Sequence, residues 1–179
     1  EYRLMADGGH YKKRKIVFRL YRRRVKRRPE RIGMMKVVSN ASPLIFLAKI
    51  ERLDLLKDYE MIIPKQVYEE ILKGGKTGRE DTHKIENLIK NNLIKVEETS
   101  INNELEKQNL GEGEKATISL GIKKKINLIL LDERKARRIA KFYNLVPKGA
   151  IGILYEALKK NKISKKEFKG LIQKLIKVG

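Results

Sequence analysis

Ile126-Asn127-Leu128-Ile129-Leu130-Leu131 decides the fold: five of its six residues are apolar, and it ends on Asp132-Glu133. A strand that is apolar on both faces is buried on both, as in the middle of a parallel sheet. Outward from it the same pattern recurs. Residues 36–39, 60–63 and 93–96 read as further strands, and 145–146 as a short last one. Between them lie helical periodicities. Leu44, Ile45, Leu47, Ala48 and Ile50 follow Asn40-Ala41-Ser42-Pro43, where Ser42 is placed to cap a helix and Pro43 to occupy its first turn. Residues 52–57 read as a short helix. Val67, Tyr68, Ile71 and Leu72 follow Pro64, and Gly74-Gly75-Lys76-Thr77-Gly78 is expected to end that helix. Ile85, Leu88 and Ile89 share one face within 81–91, and Ala116, Ile118 and Leu120 lie in a helix over 114–120. Further helices are expected over 134–142, around Ile151, Leu154 and Leu158, and around Phe168, Leu171, Ile172 and Leu175. Strands alternating with helices predict the α/β class, as a three-layer α/β/α sandwich with a central parallel sheet of four to five strands.

Composition narrows the chemistry. The 179 residues include 43 Lys and Arg, 22 Asp and Glu, two His and no Cys, for a net charge of +21. The absence of cysteine excludes a disulfide scaffold, a Cys-based zinc site and a thiol nucleophile. His10 and His83 alone cannot build a zinc-hydrolase triad, and they argue against Ser-His-Asp chemistry. No apolar run approaches the roughly 20 residues needed to span a bilayer. The expectation is therefore a cytoplasmic protein that works without a membrane. The positive charge points to a polyanionic partner, with nucleic acid first.

That charge is uneven. Residues 1–33 carry 13 basic and three acidic side chains, centred on Lys12-Lys13-Arg14-Lys15 and Arg22-Arg23-Arg24-Val25-Lys26-Arg27-Arg28. They read either as an arm that grips phosphates or as a basic leader, non-native or disordered, ahead of a natural start at Met34-Met35. Residues 34–179 are expected to form the folded domain, including the C-terminal helices.

In open α/β sheets, sites form outside the carboxyl ends of the strands. Asn40 follows the first strand there, Glu69 and Glu70 lie just after the second, and Glu114 follows Gly111-Glu112-Gly113. Asp132 and Glu133 follow the 126–131 strand directly. Carboxylates gathered together repel one another and raise each other's pKa, and a cation removes that penalty. An oxygen-only ligand set suits Mg²⁺ or Mn²⁺, which can activate water against a phosphodiester. Each residue also has a plainer reading. Glu69 and Glu70 can be solvated helix charges, Glu112 and Glu114 can favour a helix N-terminus, Asp132 can cap the next helix, and Asn40 can be a turn residue.

These segments resemble a known family. Val37-Val38-Ser39-Asn40-Ala41-Ser42-Pro43-Leu44-Ile45 resembles the opening strand-turn-helix of PIN-domain nucleases, and Ile63-Pro64-Lys65-Gln66-Val67-Tyr68-Glu69-Glu70-Ile71 resembles their second motif. Leu110-Gly111-Glu112-Gly113-Glu114-Lys115-Ala116-Thr117-Ile118 resembles the third and Leu130-Leu131-Asp132-Glu133-Arg134-Lys135-Ala136-Arg137 the fourth. Gly149-Ala150-Ile151-Gly152-Ile153-Leu154 is similar to a prokaryotic, toxin-like branch of that family.

The resemblance implies a metal-dependent endoribonuclease, often the toxin of a toxin–antitoxin pair. It puts Asn40, Glu70, Glu114 and Asp132 at the four acidic positions as catalytic residues and ligands of Mg²⁺ or Mn²⁺. Glu133 stands beside Asp132 as a further ligand, and Ser42 supports the first position. Lys73, Lys76, Arg134, Lys135, Arg137 and Arg138 would carry RNA, although each can equally be an exposed helix charge. The expected partners are RNA, a protein antitoxin and a second copy of the chain in a homodimer. The family's usual first residue is Asp. The amide of Asn40 brings no charge and cannot act as a base, which keeps open a PIN-fold nucleic-acid-binding module with weak or lost catalysis. A DNA-binding regulator acting through residues 1–33 is a further reading.

Overall fold

The computed structural model describes residues 33–76 and 80–178. The expected leader, apart from Gly33, lies outside the described residues, as do Thr77 and Gly78. Five strands form one sheet: β1 Met35–Ser39, β2 Tyr59–Pro64, β3 Ile94–Glu97, β4 Leu128–Leu130 and β5 Val146–Lys148. Their order is β3-β2-β1-β4-β5, and every neighbouring pair is parallel. The first strand lies in the middle, the chain builds out through β2 to β3, and it then crosses back to lay β4 on the other side of β1. The order therefore reverses between β1 and β4, where a crevice opens at the carboxyl ends.

The period-two alternation of strand side chains builds two cores. Val37, Met61, Ile63, Leu128 and Leu130 face one side, and Val38, Ile62 and Ile129 face the other. The first side is covered by α1 (Ala41–Lys49), α2 (Lys65–Lys76), α3 (Glu80–Lys90), α7 (Ala150–Lys159) and α8 (Lys165–Val178). They contribute Leu44, Leu47, Val67, Ile71, Ile85, Leu154 and Leu171. The second side is covered by α5 (Glu112–Lys124) and α6 (Arg134–Phe142), through Ile118, Leu120, Ala136 and Ala140. Each fully buried aliphatic side chain is worth roughly 1.5–3 kcal/mol, so both layers are held chiefly by this apolar packing. No helix of the described residues is long and apolar enough to cross a membrane.

Several elements depart from the sequence reading. Helix α1 begins at Ala41, so Asn40 and not Ser42 holds the N-cap position. Pro43 is then the third helical residue, where its missing N–H breaks no intrahelical bond. Helix α2 includes Gly74 and Gly75 and ends at Lys76, within the 74–78 stretch expected to end it. A Cβ at Gly74 would stand 2.9 Å from Thr82 Cγ2, and one at Gly75 would run into the Glu86 carboxylate. These glycines also let α2 and α3 approach closely. Residues 52–57 form a 3₁₀ turn, Leu53–Asp58. The 126–131 stretch contributes only Leu128–Leu130 to the sheet, because Ile126 N–H closes the end of α5 on Gly121 O. Helix α4 (Asn103–Glu106), capped by Asn102 Oδ1 at 2.8 Å from Glu104 N, was not expected.

Candidate functional site

Asn40 leaves β1 at the sheet reversal, and its N–H donates to Leu130 O of β4 at 3.0 Å. An asparagine at an N-cap normally accepts from the backbone N–H of the second or third helical residue. Here the third is Pro43, which has no N–H, and the Asn40 side chain makes no capping bond. The residue is 5% exposed, and its Oδ1 is buried without a hydrogen-bond partner. That orphaned oxygen is turned towards α5. A Cβ built on Gly113 would lie 2.8 Å from Asn40 Oδ1 and 2.8 Å from Glu70 Oε2. Both oxygens thus converge on the space that Gly113 leaves open.

The rest of the cleft follows from helical spacing. Gln66, Glu69, Glu70 and Lys73 stand at i, i+3, i+4 and i+7 of α2 and so share one face, while Val67 and Ile71 point into the core. Gly111 caps α5, and Glu114 at its third position accepts from Gly111 N–H at 3.0 Å, the reciprocal half of a capping box. The fixed charge of Glu114 is felt at Glu70. Burial of its carboxyl first, and then repulsion from Glu114, hold Glu70 above the ordinary carboxylate range, with Lys73 opposing. Together Asn40, Ser42, Gln66, Glu69, Glu70, Lys73 and residues 111–114 line a cleft of about 560 Å³.

Asp132 lies at the same end of the sheet but outside that lining. It does not cap the helix that follows it. Glu133 does, accepting from Lys135 N at 2.9 Å, so its carboxylate is committed to α6. Asp132 Oδ1 instead accepts from Ala150 N at 2.9 Å, supplying α7 with the cap that Gly149 lacks. Its other oxygen is buried and unpartnered. Burial raises the Asp132 pKa, against the opposing effects of the Ala150 bond and the Arg137 charge. Arg134, Lys135, Arg137 and Arg138 are exposed on α6 and do not line the cleft. Lys76 ends α2, and its side chain lies outside the described residues.

The cleft lining therefore includes Asn40, Ser42, Glu70, Lys73 and Glu114, and does not include Asp132, Glu133 or the α6 cations. Gln66 and Gly113 were missed as cleft residues. The signal for Gln66 was its place four residues before Glu70, on the same helix face. A divalent cation suits this cleft: the converging donors are all oxygen, one is orphaned, and a side chain at position 113 would force them to move. Among the described residues no three His, Asp or Glu side chains stand together as a metal group. Counting the Asn40 amide beside Glu70 and Glu114 would give three oxygen-bearing side chains.

A family model described as PIN domain matches residues 36–179. Among solved structures the fold is similar to that of a PilT N-terminus domain protein from the hyperthermophilic archaeon Sulfolobus solfataricus P2, with a TM-score of 0.51 and 18% identity. The alignment covers 69% of this chain and 94% of that one. No curated protein matches the sequence.

Proposed function

The chain belongs to the PIN-domain family, generally nucleases that use divalent metal ions, and on that premise we propose that it is a metal-dependent endoribonuclease. The convergence of Asn40 Oδ1 and Glu70 Oε2 on the space above Gly113 carries this reading. Asn40, Glu70 and Glu114 would hold Mg²⁺ or Mn²⁺. When bound, the ion would activate water and offset charge developing on the phosphodiester. Glu114 is held in place by the Gly111 N–H, so it presents its charge without reorganising. The burial and the repulsion from Glu114 that hold the Glu70 carboxyl above its ordinary range would be offset by a bound cation. Lys73, exposed on the lip, offers a cation to the strand. Asp132 would act from the neighbouring strand end through its free oxygen. The family's frequent place in toxin–antitoxin pairs extends the proposal to a toxin neutralised by a protein partner.

The test is cleavage of a labelled single-stranded RNA with Mg²⁺ or Mn²⁺, alongside calorimetric Mn²⁺ titration. Asn40→Asp should bind Mn²⁺ more tightly and cleave faster, since it adds charge where the cation sits. Glu114→Gln should weaken both. Cleavage that survives chelation of all divalent metal would end the metal-dependent reading. A second reading is favoured by the neutral amide at position 40: a PIN-fold module that binds nucleic acid and cleaves it weakly or not at all. RNA binding without cleavage, in both the native chain and Asn40→Asp and with either metal, would select it.

A further inference from the structure

The cleft is itself acidic. Glu69, Glu70, Glu112 and Glu114 line it against Lys73 alone, so even with one divalent cation bound it retains net negative charge. A polyanion has to be gripped next to such a cleft, because cations on the phosphates supply the sequence-independent part of binding. A second groove, of about 430 Å³, adjoins it across Gln66, which lines both. Its other walls are Lys65, Glu98, Thr99, Ser100 and Lys123.

The sequence builds this groove from three places. Pro64 ends β2 and α2 starts at once, which puts Lys65 and Gln66 at the carboxyl edge. Residues 98–100 leave β3 beside them, and Gln66 Nε2 donates to Thr99 O at 3.2 Å, fixing the wall between the two spaces. Lys124 pairs with Glu97 at 2.6 Å, so the end of α5 is pinned at β3 and Lys123 faces the groove. Lys65 is held across the groove by Glu98 at 3.0 Å, and both side chains are well exposed. An exposed pair of this kind is weakly held, so a phosphate can displace the carboxylate readily. Ser100 adds a hydroxyl of the kind that bonds phosphate and sugar oxygens, while the Thr99 hydroxyl donates to Ser100 O at 3.2 Å.

Resting on the nuclease reading above, we propose that this groove carries the single strand of RNA leading away from the cleft, with Lys65 and Lys123 on its phosphates and Glu98 occupying Lys65 until RNA arrives. None of these residues belongs to the metal-holding set.

The experiment uses the full chain with Glu114→Gln added to suppress cleavage, and follows fluorescence anisotropy of a labelled 12-nucleotide RNA across a salt series. Lys65→Gln/Lys123→Gln should weaken binding roughly three- to tenfold near 0.1 M salt. It should also flatten the salt slope by about 0.7 for each phosphate no longer neutralised. Glu98→Gln should tighten binding about twofold. Lys174→Gln/Lys177→Gln on α8, an equal removal of charge elsewhere, should do neither. Unchanged affinity and slope in the Lys65/Lys123 variant, with RNA still bound by the parent, would overturn the groove and leave the nuclease reading standing. Equal dependence on those lysines for a 12-base-pair duplex would overturn the single-strand assignment. A parent chain that binds no RNA at all would sink both.

Discussion

A methyl group at residue 113 would stand 2.8 Å from Asn40 Oδ1, 2.8 Å from Glu70 Oε2 and 3.3 Å from Val67 Cγ2, well inside ordinary carbon separations. Gly113→Ala therefore removes the space between the donors without changing any charge. It also replaces a helical glycine, which taken alone favours the helix by roughly 0.5–1 kcal/mol. Function and stability should part: Mn²⁺ affinity should fall at least tenfold while the thermal midpoint changes by no more than a few degrees. Native Mn²⁺ affinity in Gly113→Ala would show that the ion sits elsewhere. Asn40, Glu70 and Glu114 were legible because each follows a strand or opens a helix at the carboxyl edge. The capping bonds of Asp132 and Glu133 were not. The plainer reading made Asp132 a local cap, yet Glu133 takes the local cap and Asp132 caps a helix that starts 18 residues later. Only the folded sheet brings Ala150 N to it, so no local pattern could have shown the bond.

Helix α7 shows how an element is locked by one partly buried charge. Glu156 receives hydrogen bonds from Lys148, from Lys160 at 2.7 Å and from the Tyr59 phenol at the start of β2. Burial alone would raise its pKa, but those three donors bring it down to about 2 from the ordinary 4.5. A group depressed in the folded state stabilises above its unfolded pKa, and that contribution is lost as pH falls towards the folded value. Stability should therefore decline between pH about 4.5 and 2 as this carboxylate is protonated, by less than the whole shift implies because solvent screens the charges. Glu156→Gln should unfold at lower temperature at pH 7 and lose part of that acid dependence. Parallel melting curves for the two chains from pH 7 to 3 would show that Glu156 is not the titrating group. The Tyr59 partner of Glu156 lies far off in sequence, and the neighbours that explain the glycines of α2 lie on the next helix. Gly74-Gly75 is an end signal locally, and only the arrival of Thr82 and Glu86 on α3 reveals it as a packing surface. The strand–helix alternation, by contrast, was plain, because the apolar periods of two and 3.6 are written residue by residue. The strand order was not, since it depends on which way each crossover passes.

For the whole molecule the governing quantity is charge. Residues 1–33 hold 13 basic against three acidic side chains within a chain of net charge +21, while the cleft is acidic. If the folded domain provides the RNA track through Lys65 and Lys123, the basic segment adds affinity from counterion release without directing the strand. Deleting residues 1–33 should then lower affinity strongly at about 50 mM salt and only slightly at about 300 mM, with the salt slope falling by about 3 or more. Mn²⁺ affinity and the positions of cleavage should stay the same, because Asn40, Glu70 and Glu114 all lie beyond the deletion. The thermal midpoint should also hold, since both faces of the sheet are covered by helices from residues 41–178. A regulator acting through its basic arm predicts the reverse: the isolated 1–33 peptide would bind as tightly as the whole chain, and the remainder would bind nothing at any salt. Comparing the two fragments over the same salt series decides between these accounts. Polyanion binding confined to residues 1–33 shifts the whole slope to the peptide, whereas binding shared with the groove leaves about 1.4 units of it on the folded domain, as two neutralised phosphates require.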